Sequence, residues 1–182
     1  MTNKEILLKA YEEVGTKEVP GSGDNPRIVE YHKFSTRDDL IGMADSVPWC
    51  ASFICWVLEK VGLKSTNSKR ARSFEDLGEH VSIEDFLPGD ILVFYRNGLA
   101  SGQGHVTIGL KITKSCFGDK AYCLGGNQSD AVNVTKYPLN KLTAIRRVSN
   151  TIIYSDQEVL ELKQTVMKIL KNQEIKSGGS VT

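Results

Sequence analysis

The sequence predicts an α+β protein. Apolar residues recur at helical spacing through the amino-terminal third, short β-rich runs bounded by turn residues begin at Ile91, and a last amphipathic stretch follows Ser155. With 182 residues the chain is long enough to close one core, so a domain over 1–150 is expected, followed by a helix over 151–176 and a disordered tail over 177–182.

Thr2 and Glu5 have the spacing of a capping box, and Ile6, Leu7, Ala10, Tyr11 and Val14 form the apolar stripe of a first helix that Gly15 ends. The stretch 18–26 is dense in Pro, Gly and Asn and reads as an ordered loop. Short helices are expected over 27–34 and 36–43, the second begun by Asp38 and Asp39. Pro48 then prepares the first turn of a helix apolar on most sides, through Phe53, Ile54, Trp56, Val57, Leu58 and Val61, with Gly62 as its stop. Such a helix is a central one. A further helix is expected near Ala71, Phe74 and Leu77. The turn Pro88-Gly89-Asp90 leads into the first strand, 91–95, and strands follow over 105–112, 121–124 and 144–148. Val159, Leu162, Val166 and Ile169 put one apolar stripe on the last helix. That stripe fits packing on the domain and self-association alike.

Apolar residues make up 40% of the chain and charged residues 25%, and the formal net charge of +1 provides no overall attraction to nucleic acid or anionic lipid. No signal peptide and no apolar run long enough to span a membrane is visible, so synthesis in the cytoplasm without stable membrane insertion is expected. Four cysteines in such a chain are expected as reduced thiols.

Among those four, Cys50 falls on the first turn of the central helix, where unpaired N–H groups and the helix dipole favour the thiolate. Cys55, in mid-helix among apolar residues, is expected to stay a neutral thiol. A thiol nucleophile calls for an imidazole that takes and returns a proton. His32 and His80 stand among polar residues and read as solvated, whereas His105 follows Gly102-Gln103-Gly104 and opens an apolar strand. If that strand pairs with 121–124 as a hairpin, the turn Gly125-Gly126-Asn127-Gln128-Ser129-Asp130 lies beside it. Asn127 is then the first choice as the group that orients the ring, with Gln128 and Asp130 as substitutes. Trp49, Gln103 and Gln128 are candidates for the substrate groove, Trp49 serving equally as a core residue. The Cys50 N–H is a candidate oxyanion donor. The spacing of Cys116 and Cys123 does not suit a zinc site, and Lys64, Lys69, Arg70 and Arg72 form a basic patch that reads as a solvated face.

The runs Pro-Trp-Cys-Ala-Ser-Phe, Pro-Gly-Asp-Ile-Leu-Val-Phe, Gly-His-Val-Thr-Ile and Leu-Gly-Gly-Asn-Gln-Ser-Asp-Ala-Val-Asn-Val, in this order, resemble the papain-like peptidoglycan hydrolases of the CHAP and NlpC type. The resemblance covers about 18–147. It implies a papain-like cysteine hydrolase core and cleavage of a cell-wall amide, as endopeptidase or amidase. By motif it assigns nucleophile, base and orienter to Cys50, His105 and Asn127. Some CHAP relatives carry a Glu two residues before that Asn, where this chain has Gly125. Others bind calcium through alternating acidic residues, a pattern that Asp38, Asp39 and Asp45 do not reproduce, so no metal or other cofactor is expected. Bacterial peptidoglycan is the expected partner, reached by lysis, in a virion or through a secretion apparatus. A catalytically silent wall-binding or phage structural module is the alternative.

Overall fold

Glu5 accepts a 2.6 Å hydrogen bond from the Thr2 backbone N–H, and this cap starts helix α1, Asn3–Tyr11. The computed structural model describes residues 2–149 and 154–178, without the side chains of 38–40 and 174–178. Helix α2 is Pro26–His32, capped by the Asn25 side chain on the Arg27 N–H, and α3 is Cys50–Lys60. Six strands follow: β1 Glu79–His80, β2 Ile91–Tyr95, β3 Gly104–Thr113, β4 Lys120–Gly125, β5 Asn133–Pro138 and β6 Leu142–Arg147. Helix α4, Asp156–Gly178, ends the described chain.

All pairings in the sheet are antiparallel, in the order β1-β6-β2-β3-β4-β5. The α+β class expected from the sequence is therefore observed, with helices leading and an antiparallel sheet behind them. Alternation along β3 divides the core: Val106, Ile108 and Leu110 pack with α1 and α3, while Leu92, Phe94, Ala121 and Cys123 belong to a second cluster that Tyr137 helps to cover.

Helix α3 is the hub. Every residue from Cys50 to Leu58 is buried, so the helix has no solvent face over its first two turns. The loop before α2 is ordered by the buried Asp45, whose carboxylate accepts from the N–H groups of Val19 and Asn25 at 2.8 Å each. Asp90 is fully buried and ties three elements together. It accepts from Asn3 on α1, from both Nε and Nη2 of Arg147 on β6, and from the Leu87 N–H.

The structure corrects several expectations. The helices expected near 36–43 and 71–77 are 3-10 turns, Thr36–Ile41 and Ala71–Asp76; the side chains of Asp38 and Asp39 lie outside the described residues. Two strands escaped the sequence reading. β1 is two exposed residues long, and β5, with Asn133, Thr135 and Lys136, is a half-exposed edge strand without apolar alternation. On α4, Leu162, Val166 and Ile169 are buried in the main core and Lys4 pairs with Glu161 at 2.8 Å, so the apolar stripe packs on the domain. The helix reaches Gly178, two residues into the expected tail, and 179–182 lie outside the described residues. Among the described residues no helix is long and apolar enough to cross a membrane.

Candidate active site

Cys50 is the first residue of α3, and its position is set by packing around Trp49. The Trp49 ring is fully buried against Tyr31 and Phe53, and its Nε1 donates to Glu18 at 2.8 Å. Gly126 backs onto the same ring: a Cβ there would lie 2.5 Å from Trp49 Cζ3 and 2.8 Å from Phe53 Cβ. The start of α3 therefore abuts the end of β4. The β3–β4 ladder begins only at Ile108 and Leu124, which leaves the first residues of β3 unpaired on that side. There the Val106 N–H, one residue from His105, favours the ionised form of the Cys50 sulfur.

His105 pairs across the strands with Phe94 and lies only 1% exposed, its ring stacked on Tyr137 with centroids 4.9 Å apart. Both ring nitrogens have partners. Nε2 is 3.2 Å from Gln128 Oε1, and Nδ1 is 3.3 Å from an Arg96 guanidinium nitrogen. The Gln128 amide is fixed in turn, since its Nε2 donates to the Asn133 carbonyl at 2.6 Å and to Asn133 Oδ1 at 3.1 Å, leaving Oε1 to face the imidazole. An oxygen can only accept here, so His105 Nε2 carries the proton and Nδ1 accepts from Arg96. Among the described hydrogen bonds none joins the Cys50 sulfur to the ring.

The orienting bond expected of Asn127 is thus made by Gln128. Asn127 sits at φ +55°, a left-handed turn position, and the next residue is the one that points inward. Asp130, also left-handed at φ +59°, is exposed and accepts from the Glu18 N–H through its carbonyl. Gly125 is closed to any side chain: a Cβ would lie 2.5 Å from Thr107 Oγ1 and 3.0 Å from Gln128 Oε1. An acidic residue at 125 has no room while Gln128 holds the ring. Gln103 is exposed in the β2–β3 turn, bonded to the Asn97 side chain, and Trp49 is core.

Electrostatics depart from the expected thiolate. Burial pushes the Cys50 thiol up, against the opposing pull of the Val106 N–H, the Arg96 charge and the first N–H groups of α3. Burial and the Arg96 charge together lower His105 to about 4, with the Gln128 bond opposing. The resting pair is neutral thiol and neutral imidazole. Burial likewise keeps Cys55 and Cys123 as thiols, and Cys116 is exposed.

His32 is also corrected. It is fully buried, with Nδ1 2.9 Å from Ser52 Oγ and Nε2 3.2 Å from the Ala44 carbonyl, because its face of α2 turns onto α3. His80 is exposed, as expected. Lys69, read as solvated, is buried and donates to the Ser35 carbonyl at 3.1 Å.

Sequence reasoning missed Arg96 and Tyr137. The β2–β3 register puts Phe94 opposite His105 and Arg96 opposite Gln103, so Arg96 shares a face with His105 two residues along, and its long side chain reaches the ring. Tyr137 lies on the overlooked strand β5.

The fold and site define an α+β protein with a cysteine at the head of its central helix and an oriented histidine on the adjoining strand. No protein-family model and no curated protein matches the chain. Among solved structures it is similar to a Staphylococcus aureus protein described as similar to lipoprotein, of the NLP/P60 family, at 20% identity and a TM-score of 0.48. The match covers 82% of this chain and 42% of that one, so this chain spans less than half the length of that structure.

Proposed function

We propose that the chain is a cysteine-dependent hydrolase that cuts an amide bond of peptidoglycan, with Cys50 as nucleophile, His105 as base and acid, and Gln128 as the residue that orients the ring. The observation that carries this reading is a histidine whose ring is held by a side-chain amide, one residue along β3 from the Val106 N–H that acts on the helix-initial Cys50. The choice of a cell-wall amide rests on the resemblance of the four sequence runs.

Cys50 passes its proton to Nδ1 of His105 and the sulfur attacks the amide carbonyl. The Cys50 N–H, at the positive end of α3, is the donor available to the tetrahedral oxyanion. Collapse breaks the C–N bond, His105 returns the proton to the leaving amine, and an acyl thioester remains. Water, deprotonated by His105, then hydrolyses the thioester to a carboxylic acid and restores the thiol. Gln128 keeps Nε2–H engaged throughout, which reserves Nδ1 for the proton in transit.

One observation favours a second reading, a silent module of the same fold. Cys50 and His105 are 5% and 1% exposed, and Nδ1 is closed by Arg96. Incubating purified cell wall with the protein and with Cys50→Ala under reducing conditions separates the two. Amine release by the first and not the second supports the hydrolase. Wall retention without release from either supports the silent module.

A further inference from the structure

The hydrolase reading leaves one group in an unexpected place. Arg96 is an exposed residue, yet its guanidinium reaches back to the nitrogen that must receive the Cys50 proton. Its charge acts on Cys50, on His105 and on Tyr137, to whose hydroxyl it also hydrogen-bonds. Among the described residues no carboxylate lies within ion-pair distance of it, whereas its neighbour Arg72 is paired with Glu75. No carboxylate acts on the His105 ring either. The site thus has one cation, no anion, and a blocked base.

A guanidinium whose partners are a neutral imidazole at 3.3 Å and a phenol hydroxyl has no charged partner in the site. A carboxylate offers it two parallel charge-assisted bonds, which are shorter and about twice as strong as neutral ones. Arg96 follows directly on β2, and the turn after it holds Asn97 and Gly98 at positive φ and ends in Gly102, also at positive φ. Swinging the guanidinium onto a bound anion uncovers Nδ1 at the moment a substrate is in place.

We propose that Arg96 is the specificity residue of this site: it binds a carboxylate that flanks the scissile amide, and in leaving His105 for that carboxylate it frees the base. The inference rests on the amide-hydrolase reading and narrows its substrate class to peptides with a free carboxylate beside the cleaved bond. An amidated version of the same peptide leaves Arg96 on His105 and is a poor substrate.

Two synthetic stem peptides that differ only in that group, carboxylate against carboxamide, test the proposal on the full chain. The wild-type protein is expected to favour the carboxylate by about tenfold or more in kcat/KM, the scale of one charged hydrogen-bonded contact. Arg96→Gln should lose that preference by slowing on the carboxylate peptide and, with His105 Nδ1 no longer covered, quickening on the carboxamide one, and Arg96→Lys should keep part of it. Equal slowing on both peptides by Arg96→Gln, or a preference that survives it, overturns the proposal and leaves the hydrolase standing. A second arm needs no turnover. In Cys50→Ala, the 15N signal of His105 Nδ1 is expected to shift when the carboxylate peptide is added and to stay put with the carboxamide. No shift with either, or the same shift with both, overturns it. Cleavage of neither peptide together with the expected shift upholds Arg96 as a carboxylate site and removes the hydrolase reading.

Discussion

The side-chain oxygen of Gln128 stands 3.2 Å from Nε2 of His105, and that contact holds the ring proton on Nε2. Without it the Nε2 proton has no partner and the ring loses the bond that fixes its orientation on that side. Gln128→Ala is expected to lower kcat about a hundredfold, within the range attributed to a positioned acid–base group, while KM changes little. Asn127→Ala should cost no more than about twofold, as for a turn residue outside the site. Steady-state rates of the two variants on cell wall check this; a larger loss at Asn127 than at Gln128 would return the orienting role to Asn127.

Gly125 makes the same geometry testable from the other side. Its absent side chain leaves the space in which Thr107 Oγ1 and Gln128 Oε1 meet. Gly125→Ala should destabilise the fold by about 1–3 kcal/mol through overpacking and push Gln128 away from the ring. Urea unfolding measures the first effect and the His105 ring NMR signals the second. An unchanged midpoint with unchanged ring signals would show that the glycine is dispensable.

The sequence was most informative where one physical signal dominated. Helix α3 and strands β2, β3 and β4 are dense in apolar residues and framed by Pro or Gly, so burial and backbone geometry agree on them. The 3-10 turns and the edge strand β5 were not legible because their conformation comes from neighbours: β5 exists through its ladder with β4, and its own residues favour solvent. In the site, Cys50 and His105 could be read from position along their elements. The choice between Asn127 and Gln128 could not, because it depends on the left-handed backbone at 127, which turns one side chain out and the next in. Arg96 was hidden for another reason, since a guanidinium crosses several ångströms from an exposed turn to reach a buried ring.

The buried histidines give stability a pH dependence with a definite sign. His105 is lowered to about 4 from an ordinary 6.5, and His32 is lowered as well, in both cases mainly by burial. Once pH falls below 6.5 the unfolded chain takes up protons that the folded protein refuses until about 4. Stability is therefore full above 6.5 and falls as pH drops towards 4, with a contribution from His105 on the order of 3 kcal/mol. Urea midpoints between pH 7 and 4.5 should decline, and His105→Asn should flatten the decline. A flat wild-type profile would contradict a neutral buried imidazole.

Thiol reactivity tests whether the resting site is closed. Cys116 is exposed in the β3–β4 turn, Cys50 is 5% exposed with its thiol pushed up by burial, and Cys55 and Cys123 are wholly enclosed. Only thiolate is alkylated, so both low access and a raised pKa slow Cys50, and these outweigh the pull of the helix start and the Arg96 charge. Limited iodoacetamide at neutral pH is expected to label Cys116 first and Cys50 markedly more slowly, since the Cys50 sulfur is nearly out of reach of the reagent. Cys55 and Cys123 should stay unlabelled until the protein unfolds. Peptide mass mapping reads the order. Faster labelling of Cys50 than of Cys116 would mean that the thiolate already exists at rest, and that burial loses to the helix dipole at this position.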